Sequence, residues 1–311
     1  MTILITGATG ELGRMVIDYL LEEVPASELI LVTRRPEKLA AMASRGAQVR
    51  RGDFDEPESL VPAFTGADKM LLISTLPVGR RIRQHRRAVN AAKKAGVKHI
   101  VYTSSVGINP KTPAIVVPDH MKTEDMIRSS GVAYTILRDS QYTEALAEFM
   151  APTAVARGTL YSNAGDGKIA PVSERDCAAC AAKVLVTPGH ENRIYTITGP
   201  ELLSYRDVAS LSGEICGCQV EYVSTSDDQQ REIVIASGVP EEYVEGRTAE
   251  GIGKWSADDM VTYGRSVREG YFSEITDDVQ KLLGRPATSA REVFLDYADR
   301  IRAACLEERE P

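Results

Sequence analysis

Three glycines early in the chain, Gly7, Gly10 and Gly13, stand at G-x-x-G-x-x-G spacing. An apolar run, Ile3-Leu4-Ile5, precedes them, and Met15, Val16, Tyr19 and Leu20 follow at helical intervals. The chemistry this suits is phosphate binding. Glycine lets the turn close and lets backbone N–H groups approach a pyrophosphate, while the helix N-terminus draws the phosphate charge. With strand and helix both in place, Gly7, Thr9, Gly10, Glu11, Leu12 and Gly13 are read as a dinucleotide cradle, against the plainer reading of a structural turn.

Arg34 and Arg35 end the next apolar run, Leu29-Ile30-Leu31-Val32, with no acid beside them. NAD-selective turns place an Asp or Glu there for the ribose 2′-OH, whereas an arginine accepts a 2′-phosphate. The pair therefore predicts NADP (NADPH), with Arg34 the main ligand because a guanidinium pairs bidentately with phosphate oxygens. Asp53 and Phe54 close the third strand and are expected near the adenine. Ser74, Thr75 and Leu76 end the fourth and are expected along the path to the nicotinamide ribose.

His120 is a candidate proton donor or ribose ligand, since its ordinary pKa lies near neutrality; the plain alternative is a surface or capping histidine. Lys122 lies two positions on, about 200° around a helix, so the two cannot both face one site. Tyr142 is a candidate phenol for the pocket.

Strands must hold these residues. Strand-like runs at 3–5, 29–32, 48–50, 69–73, 100–102 and 134–137 alternate with helical patterns, which predicts an α/β, doubly wound parallel Rossmann sheet in the order 3-2-1-4-5-6. Arg193–Ile197 reads as one more strand of that sheet. The expected division is an NADP-binding Rossmann domain over 1–155, with a returning strand and helix from about 170–200. A smaller α+β substrate lobe over 200–311 lies at the carboxyl edge of the sheet. One helical stretch carries Arg80, Arg81, Arg83, Arg86, Arg87, Lys93 and Lys94 with no acid, and is expected to present a solvated outer face. Arg80 and Arg81 are the exceptions, starting the helix close to the cofactor path.

The chain has 311 residues, enough to bury a sizeable core, and a net charge of −7 that argues against a general nucleic-acid binder. With no signal-like start and no run long enough to span a bilayer, the expectation is a cytoplasmic protein without a membrane partner. Five cysteines suggest reduced thiols. Cys177-x-x-Cys180 lies among alanines, as in a helix packed closely on a sheet. Cys216-x-Cys218 has no histidine beside it, so no metal site is expected at either pair.

The segments LITGATGELG, TRRPEK, RGDFDEPESL, HIVYTSS, HMKTEDMIRSSGVAYTILR and LLGRPATSAREVF together span most of the chain. They resemble the NmrA-like branch of the atypical short-chain dehydrogenase/reductases, which includes NADPH-dependent quinone and triphenylmethane dye reductases. The resemblance implies an NADPH-binding Rossmann fold with a small C-terminal substrate lobe, and for some members cofactor sensing without turnover. Short-chain dehydrogenases generally use Tyr-x-x-x-Lys on helix five as acid and ribose holder. Aligned on HMKTE, His120 stands at the lysine position and Val116 at the tyrosine position. Ser104 and Ser105 fall where the family keeps a catalytic serine, or else simply satisfy a strand end.

Three functions remain open at this point. The first is an oxidoreductase passing hydride from NADPH to a small conjugated acceptor such as a quinone, an enone or a dye, where charge develops on oxygen or is delocalised and a strong protein acid is less necessary. The second is a ketone or alcohol dehydrogenase with another donor, Tyr142 or His120. The third is an NADP-sensing regulator that binds nucleotide without turnover. A monomer or homodimer acting on a small organic molecule fits the enzyme readings.

Overall fold

The structure, a computed structural model, describes residues 1–76, 78–242 and 255–307. The first half alternates strand and helix: β1 (Ile3–Ile5), α1 (Glu11–Glu23), β2 (Leu29–Thr33), α2 (Ala40–Ser44), β3 (Gln48–Arg51), α3 (Pro57–Phe64), β4 (Lys69–Leu72), α4 (Arg81–Ala95), β5 (His99–Ser105), α5 (Val117–Ser129) and β6 (Ala133–Asp139). Next come α6 (Thr143–Ala145), a π-turn over Leu146–Met150, α7 (Ala151–Arg157), β7 (Thr159–Ser162), β8 (Lys168–Ile169), α8 (Glu174–Val186) and β9 (Arg193–Ile197). The rest comprises β10 (Leu203–Ser204), α9 (Tyr205–Cys216), β11 (Glu221–Ser224), α10 (Asp227–Ala236), α11 (Ala257–Arg268), α12 (Asp278–Leu283), α13 (Ala290–Asp296) and α14 (Ala298–Glu307).

The main sheet runs β3-β2-β1-β4-β5-β6-β9 and every pairing in it is parallel, so the expected order holds, with β9 added at one edge. Period-two alternation divides each central strand between two cores. Ile3, Ile5, Leu29, Leu31, Leu71, Val101 and Leu137 pack against α1 and α8. Leu4, Ile30, Val32, Met70, Leu72, Ile100 and Tyr102 pack against α3, α4 and α5. Helix α8 is the small-residue helix: Cys177, Ala178, Cys180 and Ala181 are buried against α1 and the sheet.

A third core belongs to the lobe, and its membership moves the expected boundary. Leu146, Ala147, Ala151, Ala154, Val155, Leu160 and Ile169 share it with Tyr205, Val208, Val267, Phe294 and Ile301. Strand β7 pairs in parallel with β11 and β8 pairs with β10, so the lobe draws on residues from 143 to 170 as well as those beyond 200. Conversely, Val279 and Leu282 of α12 return to the core beneath α1 and α8. The segments 243–254 and 308–311, assigned to the lobe from sequence, lie outside the described residues.

The carboxyl end of β4 is held by side chains from three other elements. Thr6 Oγ1 donates to the Leu71 carbonyl and accepts from the Ile73 amide, spanning the point where the strand order reverses. Ser74 N–H donates to Thr103 Oγ1, and Thr75 N–H donates to His85 Nε2 at 3.1 Å. Thr123 Oγ1 already donates to the Asp119 carbonyl, so His85 Nδ1, 3.0 Å from it, is the donor of that pair. His85 is thus neutral with its proton on Nδ1. Burial, aided by the Arg81 charge, pushes its pKa down to about 3.

The unfolded chain protonates this imidazole below the ordinary histidine pKa, whereas the folded one resists. The contribution is therefore complete above about pH 6.5 and is lost as pH falls toward 3. We expect denaturation free energies measured from pH 6 to 4 to fall less steeply for His85→Gln than for the parent, by about 1.4 kcal/mol per pH unit. Equal slopes would show that His85 takes up its proton in the folded state.

Candidate functional site

The glycine turn has the geometry of a cradle. Gly7 sits at φ +64°, and Gly10 N–H donates to the Gly7 carbonyl at 2.9 Å. A Cβ on Gly13 would lie 2.4 Å from that carbonyl, so α1 packs on the turn at a distance only glycine allows. Gly10 caps α1 without a side-chain hydrogen bond, and the helix starts with Glu11 and Leu12. Thr9 Oγ1 reaches Thr33 Oγ1 at 3.3 Å, tying the turn to the end of β2.

Arg34 and Arg35 follow directly and are exposed. Among the described residues neither guanidinium has a hydrogen-bond or ion-pair partner, so both are available to a ligand phosphate. Asp53 and Phe54 lie just beyond β3, where Asp53 Oδ1 accepts from the Asp55 N–H at 2.9 Å and Phe54 is half-buried against the sheet core. Beyond β4, Ser74 and Thr75 are half-buried and Leu76 is exposed.

The basic helix presents Arg83, Arg86, Lys93 and Lys94 to solvent, and three arginines at its start also share a partner. Arg80, Arg83 and Arg87 converge on one carboxylate, Asp55, at 3.2–3.3 Å, with Gln84 Nε2 donating to it at 2.9 Å. Their charge is spent fastening α4 to the loop after β3. Arg81 turns the other way and is 5% exposed. Its Nε donates to the Thr75 carbonyl at 2.5 Å and one terminal nitrogen to the Leu76 carbonyl at 3.1 Å. The other terminal nitrogen is buried without a partner among the described residues.

Helix α5 directs His120, Thr123, Glu124 and Ile127 inward and leaves Lys122 exposed. His120 Nδ1 lies 2.8 Å from the Tyr102 hydroxyl, and no described residue bonds Nε2. Burial, then the charge of Arg81, holds His120 well below the ordinary histidine range, while burial raises the Tyr102 phenol. The pair is neutral. If the phenol donates to Nδ1, the imidazole carries its proton on Nε2 and offers an uncharged N–H. Val116, at the tyrosine position, precedes α5 as its cap and packs against the lobe core.

The three catalytic candidates enter separate hydrogen-bond groups. Ser104 requires correction as a substrate ligand, because its hydroxyl donates to Glu124 Oε1 at 2.8 Å. Glu124 is fully buried and held by Arg138 through two bonds of 2.9 and 2.7 Å, so the Ser104 proton is committed to a structural ion pair. Ser105 points to the opposite face and bonds the Val106 carbonyl. Tyr142 donates to Asp139 Oδ2 at 3.2 Å at the end of β6. Burial raises Asp139 to about 8 and lifts Tyr142 well above the ordinary phenol range. Tyr142 is therefore a donor already in use, beside a carboxyl that keeps its proton at neutral pH.

Tyr102 and His85 carry no local sequence signal for these roles. Tyr102 reads only as part of the fifth strand and His85 as one residue of the basic helix, and only α4 and α5 packing on one face of β5 brings them to His120. Arg81 stands out only as the first residue of a basic helix. An open cleft of about 650 Å³, lined by Ser210, Gly213, Gly217 and Cys218 among others, takes no residue from the strand ends and is not the nucleotide crevice. No helix among the described residues is long and apolar enough to cross a membrane.

A family model described as NAD(P)H-binding matches residues 7–188, more than half of the chain. Quinone oxidoreductase 2 of Escherichia coli is 37% identical, covering 93% of this chain and 96% of that protein. An NmrA-like family domain-containing oxidoreductase of Aspergillus flavus is 31% identical over 96% of this chain and 97% of its own length. Among solved structures, the NADPH complex of the Escherichia coli quinone oxidoreductase superposes with a TM-score of 0.86 at 35% identity, covering 94% of this chain and 98% of that one. The NADP(H) complex of Citrobacter triphenylmethane reductase does so with 0.85 at 33%, covering 96% and 100%. The chain belongs to the NAD(P)H-binding family, in its NmrA-like oxidoreductase branch.

Proposed function

We propose that this protein is an NADPH-dependent reductase of small, electron-poor conjugated acceptors of the quinone, enone or dye type. The observation that carries this reading is the uncharged Tyr102–His120 pair beside Val116, where related dehydrogenases keep an acidic tyrosine and its lysine. Bound NADPH supplies the hydride. The glycine turn and the N-terminus of α1 would hold the pyrophosphate, Arg34 and Arg35 the 2′-phosphate, and Asp53 with Phe54 the adenine side. Ser74, Thr75 and Leu76 would border the nicotinamide ribose, and His120 Nε2–H would donate to a ribose hydroxyl or to the acceptor oxygen without surrendering its proton.

A quinone or enone spreads the incoming charge over its conjugated system and takes its proton from water, while a cationic dye is neutralised by the hydride itself, so neither needs a poised acid. The relatives point the same way: Escherichia coli quinone oxidoreductase 2, a Xenophilus azovorans NAD(P)H azoreductase at 30% identity and Citrobacter triphenylmethane reductase are named for such acceptors. We infer a cytoplasmic monomer or homodimer with no nucleic-acid or membrane partner.

NADPH oxidation should be measured against quinones, triphenylmethane dyes and enones in parallel with simple ketones. Turnover is expected with the conjugated set and not with the ketones. Silence across the whole set with tight NADPH binding intact would favour the sensor instead. Replacing Arg34 with Ala should weaken NADPH binding about 10- to 100-fold while leaving NADH nearly unchanged, as expected for loss of a charge-assisted phosphate contact. An unchanged NADPH-to-NADH ratio would refute the assignment.

His120 supplies the third test. Because burial keeps it neutral, kcat with a quinone should be flat between pH 6 and 8 and should stay flat in His120→Gln, with a lower plateau. A limb near pH 6.5 present in the parent and lost in the variant would make His120 a titrating acid and sink the reading.

A further inference from the structure

Cys216 is the last residue of α9, Gly217 follows at φ +76°, and Cys218 comes next. The fold brings a third thiol to them from α14: the sulfur atoms of Cys216, Cys218 and Cys305 all lie within 4.8 Å of one another. All three cysteines are free and half-buried. Packing of α14 on α9 forms the cluster, and the Arg302 side chain, one turn before Cys305, donates to the Ile215 carbonyl at 3.1 Å. The thiols thus sit at the carboxyl end of α9, where the helix dipole favours positive charge. Cys218 and Gly217 also line the open cleft of about 650 Å³, which gives solvent a route to the cluster.

We propose that Cys216, Cys218 and Cys305 bind one thiophilic divalent cation of the Zn²⁺ class, with the fourth coordination position open to the cleft. Three thiolates at about 2.3 Å from zinc stand about 3.8 Å apart in a tetrahedron, so the sulfurs, all within 4.8 Å of one another, need close by no more than about 1 Å. Binding forms three metal–sulfur bonds and releases three thiol protons to solvent; no oxidant is consumed. The ion pins the end of α14 to the end of α9, away from the nucleotide crevice, so it acts on the lobe without entering hydride transfer.

The test uses the full-length chain, fully reduced and without oxygen, titrated with Co²⁺ as an optical probe and with Zn²⁺ against a chromophoric chelator. We expect one equivalent of Co²⁺ with a thiolate charge-transfer band, displaced by Zn²⁺, and a rise in melting temperature on Zn²⁺ addition. Cys305→Ser and Cys218→Ser should each weaken Zn²⁺ at least about 100-fold. Cys180→Ala, whose thiol is buried in α8, should bind as the parent does. Circular dichroism and NADPH binding verify the fold of each variant, and Cys218→Ser, on a turn, serves if Cys305→Ser does not fold. Absence of a charge-transfer band, binding that survives Cys305→Ser, or a parent chain that forms an internal disulfide and takes up no Zn²⁺ would each overturn the proposal.

Discussion

The buried guanidinium of Arg81 governs both the shape and the charge of the crevice. By bonding the carbonyls of Thr75 and Leu76 it fixes the backbone just after β4, at the place where open α/β sheets bind their ligands. Arginine does not lose its proton in a protein, so burial strains its environment and not its charge. That charge adds to the larger effect of burial in keeping His85 and His120 neutral. One side chain therefore holds the strand end and adds to the burial that keeps both histidines neutral.

The neutral histidines are in turn what allow the hydrogen bonds to close. Were His85 protonated, Nε2 would lose the lone pair that receives the Thr75 amide, and the strand end would carry a buried unsatisfied donor. The lobe adds a second constraint on the same crevice. The Ala114 amide donates to Ser266 Oγ of α11 at 2.8 Å, and Phe272 packs so closely on Gly107 that a Cβ there would lie 2.8 Å away. The loop after β5 is thus fastened to α11, and Tyr205 of α9 bonds Gln141 in the loop after β6. The loops that border the crevice are shared by sheet and lobe.

What was legible in the sequence follows from what is local. Apolar runs, the glycine turn and the absence of an acid after β2 depend on near neighbours in the chain, and they gave the sheet order and the cofactor. Ser104 misled because strand position says nothing about which face holds a partner: Tyr102, Ser104 and the inward side of α5 share one face, where Glu124 was waiting. That the arginines at the start of α4 share one carboxylate was not legible, because Asp55 lies more than twenty residues earlier. Cys305 gives no signal at all beside Cys216-x-Cys218 until α14 folds back onto α9.

Binding and chemistry are then separated along the crevice. At the outer end, Arg34 and Arg35 are exposed and have no hydrogen-bond or ion-pair partner among the described residues; on the proposed reading their attraction to a phosphate would raise affinity equally for ground state and transition state and so select the nucleotide. At the inner end, loss of hydride leaves the nicotinamide ring positive, while a neutral acceptor such as a quinone becomes an anion and a cationic dye becomes neutral. A lysine at the position of His120 would stabilise that anion and oppose the cationic ring. A neutral imidazole does neither, and the fixed positive charge of Arg81 is engaged with carbonyl oxygens. On the proposed reading, such an environment would favour acceptors that accommodate the hydride's charge by delocalisation or by their own positive charge, with selectivity arising from the neutral imidazole of His120.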